Sequence, residues 1–270
     1  MNVYFLDILD KPTFWKYYKV CDNNYIEIKK DTGKIKKIIK KLKYSSRKNF
    51  IDAVILSKAL YSFEELKNQM VLNNINIIDG KWLMKYLILE IVEYISEKRK
   101  IKIEECEVAI LVNSINDVEI ENIKILAKKF KTIKVISNHS ERLEKIERKL
   151  YEDSGIMLIF SNNKKKSLQK SNFIINFDYV QEEISKYNIN NEAIIINLEN
   201  NIEIIKKRFC GDIINNYNVN CNEDINKSFY ARDILESKLY AKTTFEIIRK
   251  KIKENDIKIS ELIGKNGIIM

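Results

Sequence analysis

The segment from Val108 to Ser137 constrains the fold most strongly. Val108-Ala-Ile-Leu-Val112 is an unbroken apolar run, the pattern of a strand covered on both sheet faces. Val118 to Phe130 carries helical spacing, and Ile133 to Ser137 is a second strand-like run. A strand, a helix and a strand joined in this way pair in parallel. The turn between the first strand and the helix is Asn113-Ser-Ile-Asn-Asp117, and no glycine occurs between Lys81 and Ser154. A turn of this kind that receives a pyrophosphate carries G-x-G-x-x-G, which lets backbone approach the phosphates and the helix pack close to the strand. The scaffold is written into the chain without that fingerprint.

The same alternation extends in both directions. Upstream, strands are predicted at Val3–Leu9, Tyr25–Lys29, Ala53–Leu56 and Ile75–Ile78, with helices at 34–43 and 63–72. The first helix buries Ile35, Ile38, Ile39 and Leu42 at spacings of three and four. Asp79 is placed to cap a long helix from Lys81 to Glu97 that is apolar on most faces. Downstream, strands are expected at 108–112, 133–137, 156–161, 173–176 and 193–197, with helices at 118–130, 140–153, near 165–170 and at 181–187. Amphipathic helices carrying Phe229, Ile234, Leu235, Leu239, Phe245, Ile248 and Ile252 follow. The reading is an α/β protein: a doubly wound parallel Rossmann-like sheet preceded by a smaller α/β domain, with C-terminal helices. Its expected domains are residues 1–100, ending in the inter-domain helix 81–97, then 101–200, then a helical extension 201–270.

Composition narrows the function classes. At 270 residues the chain buries a real core. Cys21, Cys106, Cys210 and Cys221 form no C-x-x-C pair, and with His139 the only histidine no metal-ligand spacing exists. Isolated thiols and a start without a basic n-region point to a reducing cytoplasm. The most apolar stretch, Trp82 to Ile95, carries Lys85, Glu90 and Glu93, so no transmembrane segment is expected. The net charge of +10 is concentrated: residues 1–50 hold 13 Lys and Arg against 5 Asp and Glu.

Ligands of open parallel sheets bind outside the carboxyl ends of the strands. The residues there are Asn113 and Ser114, Asn138, His139 and Ser140, Ser161, Asn162 and Asn163, and Asn176 and Asp178. They are rich in amides and poor in groups that titrate near neutrality, which suits binding better than catalysis. Asp178 is read as the cap of the following helix, with a partner for a ribose hydroxyl or a base as the alternatives. Lys164, Lys165 and Lys166 follow a strand end and form a candidate anion site at a helix N-terminus.

Ile133-Lys-Val-Ile-Ser-Asn-His-Ser-Glu-Arg-Leu143 resembles the second-strand motif of the shikimate dehydrogenase and glutamyl-tRNA reductase group. That group places Asn-Arg-Thr and a further basic residue around the 2′-phosphate of NADP. Asn138 and Ser140 match in kind, His139 stands for the arginine, and Arg142 lies one position early. Ser171-Asn-Phe-Ile-Ile-Asn-Phe-Asp178 is similar to the group's strand ending in Asn-Ala-Thr, with Asn176 matching. The resemblance spans about residues 80–200. It implies the fold and a degenerate nucleotide pocket, for which NADP is the candidate cofactor and these residues the candidate contacts, and it carries no activity across. The group's glycine-rich turn, catalytic lysine motif and nucleophilic cysteine have no counterpart.

Three functional readings follow, and none fixes whether the chain is an enzyme. The first is a binding or regulatory protein with a degenerate nucleotide pocket, its partner a nucleotide, a small molecule or a protein. The second is a divergent NADP-dependent oxidoreductase. The third is a nucleic-acid or anionic-surface binder acting through the basic N-terminal domain, where helix 34–43 and Ser45-Ser-Arg-Lys48 supply the charge.

Overall fold

The computed structural model describes residues 2–10, 17–22, 24–139, 147–148, 150–152, 155, 157–222, 225–240 and 244–270. They form two compact units. The first is built from Met1–Leu83, Cys221–Thr243 and Glu254–Asp256; the second from Met84–Asn220, Thr244–Lys253 and Ile257–Met270.

In the first unit, strands β1 (Val3–Ile8), β2 (Tyr18–Val20), β3 (Tyr25–Ile28), β4 (Ala53–Leu56) and β5 (Asn76–Ile78) form one sheet in the order β2-β3-β1-β4-β5. All pairs are parallel except β2 with β3. Alternate side chains divide between two cores, as the two-residue period of a strand requires. Tyr4, Leu6, Val54 and Leu56 join Ile35, Ile38, Ile39 and Leu42 of the helix Ile35–Asn49 and Leu66 and Met70 of the helix Glu64–Leu72. Val3, Ala53, Ile55 and Ile78 pack against Phe229 and Ile234 at the helix Ala231–Leu239. The C-terminal region therefore covers the face that the N-terminal helices leave open.

The second unit holds β6 (Glu107–Leu111), β7 (Thr132–Ile136), β8 (Ile159–Phe160), β9 (Phe173–Asn176), β10 (Ile194–Asn197) and β11 (Ile213–Ile214). Their order is β11-β10-β9-β6-β7-β8, with every pair parallel. The chain steps from β6 outward through β7 and β8, then returns to the other side of β6 and steps outward through β9, β10 and β11. This is the doubly wound Rossmann order, with its switch point between β6 and β9. Strands β9 and β10 are buried at every residue, which is why each reads as an apolar run up to its closing asparagine, Asn176 or Asn197. A second sheet, β12 (Asn216–Asn220), β13 (Lys258–Gly264) and β14 (Gly267–Ile268), is antiparallel.

Several local expectations are revised. The helix expected over 81–97 is two, Lys81–Tyr86 and Ile88–Arg99, with a break at Leu87, whose amide bonds back to Met84. Residues 164–170 form turns and bends, not a helix, because Asn163 accepts from the Lys165 and Lys166 amides and holds a local turn. The C-terminal region adds the β12–β14 sheet to its helices. Most of the helix expected over 140–153 lies outside the described residues. Among the described residues, no helix is long and apolar enough to cross a membrane.

Gly211 marks the closest backbone approach in the second unit. A Cβ built there would lie 2.0 Å from the Ala193 carbonyl oxygen. The Gly211→Ala variant is therefore expected to lose about 2–4 kcal/mol of stability, read as a lowered urea midpoint, because backbone must move to admit one methyl.

Candidate functional site

The register at the switch point brings the candidate residues of the second unit face to face. Leu111 pairs with Asn176, so residue 113 and residue 178 emerge opposite each other, each two positions past its strand partner. The Asp178 carboxylate spans the gap. Its two oxygens accept from the Asn113 amide at 2.8 and 3.0 Å, and Oδ2 also accepts from the Ser114 amide at 2.7 Å. These amides belong to the glycine-free turn, where a pyrophosphate would take its donors in a dinucleotide site. Asp178 thus caps the turn across the crevice and not the helix that follows it. That following helix, Gln181–Ile184, is capped by Glu183, whose Oε2 accepts from the Val180 amide at 3.0 Å.

A network surrounds this bridge. Glu183 Oε1 accepts from the side-chain amides of Asn138 at 2.7 Å and Asn113 at 3.4 Å. Asn113 Oδ1 accepts from the Asn138 backbone at 3.0 Å. The Asn116 amide, at the start of the helix Asp117–Ala127, donates to Glu119 at 2.9 Å. Burial pushes the Asp178 carboxyl above the usual range; the two backbone donors oppose this, and the charges of Glu199 and Glu183 add to it. Lys85 brings positive charge, held between Glu119 and Glu199. The backbone donors of this crevice are taken by the chain's own side chains.

The remaining sequence-derived candidates divide. Asn176 is fully buried; its side chain donates to the Tyr179 carbonyl and to Asn197, and accepts from the Tyr179 amide. Asn197 in turn donates to Asn215, giving a buried amide row from β9 through β10 to the residue that follows β11. Asn138 and His139 are exposed beyond β7, and the His139 amide donates to Ser137. Ser140 and Arg142 lie outside the described residues. Lys164, Lys165 and Lys166 are exposed on their turn. The turn amides of Lys165 and Lys166, which an anion would use, both donate to Asn163.

No protein-family model matches the sequence, and no curated protein does. Solved structures with a similar arrangement exist. The dipicolinate synthase A chain from Bacillus subtilis is 14% identical, with 53% of this chain and 48% of that chain covered at a TM-score of 0.33. Shikimate 5-dehydrogenase from Listeria monocytogenes is 9% identical, with 93% and 96% covered at a TM-score of 0.32. Glutamyl-tRNA reductase from Methanopyrus kandleri is 12% identical, with 62% and 42% covered at a TM-score of 0.28. The neighbours thus include the group named from the sequence. The chain spans about half the length of the dipicolinate synthase chain. At these TM-scores the likeness carries no argument about activity.

The first unit holds a second cluster that sequence reasoning missed. Gly80 follows β5 at φ +83°, and a Cβ there would lie 2.6 Å from Arg232 Cδ. Arg232 is buried, lies 4.2 Å over the Tyr230 ring and pairs with Asp233 at 3.2 Å. Asp79 caps the next helix, accepting from the Lys81 amide at 3.1 Å, and Glu236 accepts from the Leu83 amide at 3.0 Å. Burial pushes Asp233 up to about 7, against the pull of Arg232, and Glu236 up to about 8, against its backbone donors. Burial lowers the Lys81 ammonium to about 8, with Asp79 opposing. The buried Asp233 Oδ2 has no hydrogen-bond partner. Within residues 231–239 the charges sit among apolar residues at ordinary amphipathic spacing, so the sequence presents them as a solvated face.

These shifts set a pH dependence. Asp233 and Glu236 titrate higher folded than unfolded, so the folded state keeps protons that the unfolded chain releases. Their contribution is present in full below the ordinary carboxyl range and is lost as pH rises through about 7 to 8. Melting temperature is expected to fall over that interval in the wild type. The Asp233→Asn, Glu236→Gln double variant should show a visibly flatter profile in the same buffers.

Proposed function

We propose that this chain is a Rossmann-like protein with a binding or regulatory role, whose switch-point crevice does not receive a dinucleotide pyrophosphate. The observation that carries this reading is the Asp178 carboxylate on the Asn113 and Ser114 amides. A pyrophosphate would have to displace a carboxylate that already satisfies these donors. It would also enter beside Glu183 and Glu199, like charges that oppose it. The side chains at Ser114, Ile115 and Asn116 add bulk where glycines would admit phosphate oxygens. A regulatory role gains support from the first unit, where Asp233, Glu236 and Lys81 change charge near neutrality.

The rival reading, an NADP-dependent oxidoreductase, requires the crevice to open at Asp178. A thermal-shift titration separates the two. A ligand at 100 times its dissociation constant stabilises by about 2.7 kcal/mol. At about 2–4 °C per kcal/mol this is a shift of several degrees. The expected result is no shift with either NADPH or NADH at millimolar concentration. A shift of several degrees with NADPH alone would favour the oxidoreductase. The Asp178→Asn variant should be less stable than the wild type by about 1–3 kcal/mol, since its Nδ2 hydrogens would face backbone donors.

A further inference from the structure

The helix Ile35–Asn49 carries seven Lys and Arg and no Asp or Glu. The whole chain has 38 acids against 48 bases, so this helix departs from the chain's own composition. Its buried stripe, Ile35, Ile38, Ile39 and Leu42, fixes the opposite face outward. On that face Lys36, Lys40, Lys43 and Arg47 fall at steps of four, three and four, a single line along the helix. Lys37, Lys41, Tyr44 and Lys48 form a second line beside it. Among the described residues none of the four cations in the first line meets a carboxylate in an ion pair. Like charges four residues apart repel. The helix dipole favours Arg47 and Lys48 in the last turn but opposes Lys36 and Lys37 in the first. Charge of this kind is stabilised when an anion lies along it.

Two further features sit at the end of the lines. Lys43 and Arg47 line a cavity of about 300 Å³, together with Ser46, Asn73 and Asn74. The acid in its lining, Asp52, accepts from the Asn2 amide. Phe50, which ends the helix, is 82% exposed at φ 52°, and Tyr44 is 71% exposed. A left-handed backbone is strained for phenylalanine, and no core packing offsets it here. Exposed aromatic faces beside lines of cations are the components of a single-strand binding surface: cations follow the phosphates and rings stack on unpaired bases. The side-chain amides in the cavity can bond to a base edge. A duplex offers its phosphates but no base face to Phe50 or Tyr44.

We propose that the outer face of the helix Ile35–Asn49, with Tyr44, Phe50 and the adjoining cavity, binds single-stranded nucleic acid. From Lys36 to Arg47 the first line rises about 16 Å along the helix, and its four cations meet about four phosphates. The logarithm of the affinity should then fall with the logarithm of salt concentration at a slope of about −3.

Fluorescence anisotropy with the full chain tests this. The probes are a labelled single-stranded oligonucleotide of about twenty nucleotides, the same sequence as a duplex, and vesicles containing phosphatidylserine. The single strand should bind about tenfold or more tightly than the duplex. Lys40→Glu with Arg47→Glu should weaken it more than about tenfold and reduce the salt slope by about 1.4. Phe50→Ala should weaken it about tenfold with the slope unchanged, which keeps a clear reading should the double variant fail to fold. No binding of the single strand, equal binding of duplex, binding of vesicles alone, or Phe50→Ala binding at wild-type strength would each overturn the proposal.

Discussion

One carboxylate closes the switch point of the second sheet. Open parallel sheets leave a crevice where their two halves diverge, and the first turn out of the central strand exposes backbone donors into it. In this chain the register of β6 with β9 puts Asp178 opposite that turn, and its oxygens take the Asn113 and Ser114 amides. The turn carries no glycine, and the group that approaches its amides is the chain's own side-chain carboxylate. The Asn113 amide is half-buried and the Ser114 amide exposed, so the internal carboxylate takes the place that water would have on these donors. It does so with the same kind of group, an anionic oxygen, that a phosphate would offer.

The same solution recurs nearby. Glu119 takes the Asn116 amide at the helix start, Glu183 takes the Val180 amide, and Asn163 takes two turn amides beside the Lys164–Lys166 run. Each is a place where a Rossmann-type sheet can present donors to an anion, and in each the chain provides its own acceptor. The result is a switch-point crevice lined by the chain's own carboxylates, Asp178 and Glu183, on a protein whose net charge is +10. The uncompensated positive charge lies instead in the first unit, on the outer face of a helix whose inner face is core.

Much of the architecture is legible in the sequence, because buried parallel strands are dense apolar runs. Ala53–Leu56 and Phe173–Asn176 are read to the residue, and most other strands to within one position. What escapes is whatever depends on partners far apart in the chain. The sequence shows Asp178 beside a helix start, so a local cap is the natural reading; its real partners are 64 and 65 positions away. Asn176 looks like a site residue at a strand end but is buried in a row with Asn197 and Asn215. Asp233 and Glu236 occupy ordinary amphipathic positions, and only the packing of their helix on the first sheet removes them from water. The strands β13 and β14 escape because Gly264 and Gly267 signal a turn, while the pairing of β13 with β12 spans about forty residues.

The Asn113 and Ser114 amides are already bonded to Asp178, and amide-resolved NMR reads them directly. Their resonances should be shifted downfield and protected from exchange. They should move together with pH at a single midpoint above the usual carboxylate range, set by Asp178. Addition of NADPH should leave them in place. Rapidly exchanging amides that shift in proportion to added NADPH would show an open turn that a phosphate can occupy, and would contradict the account.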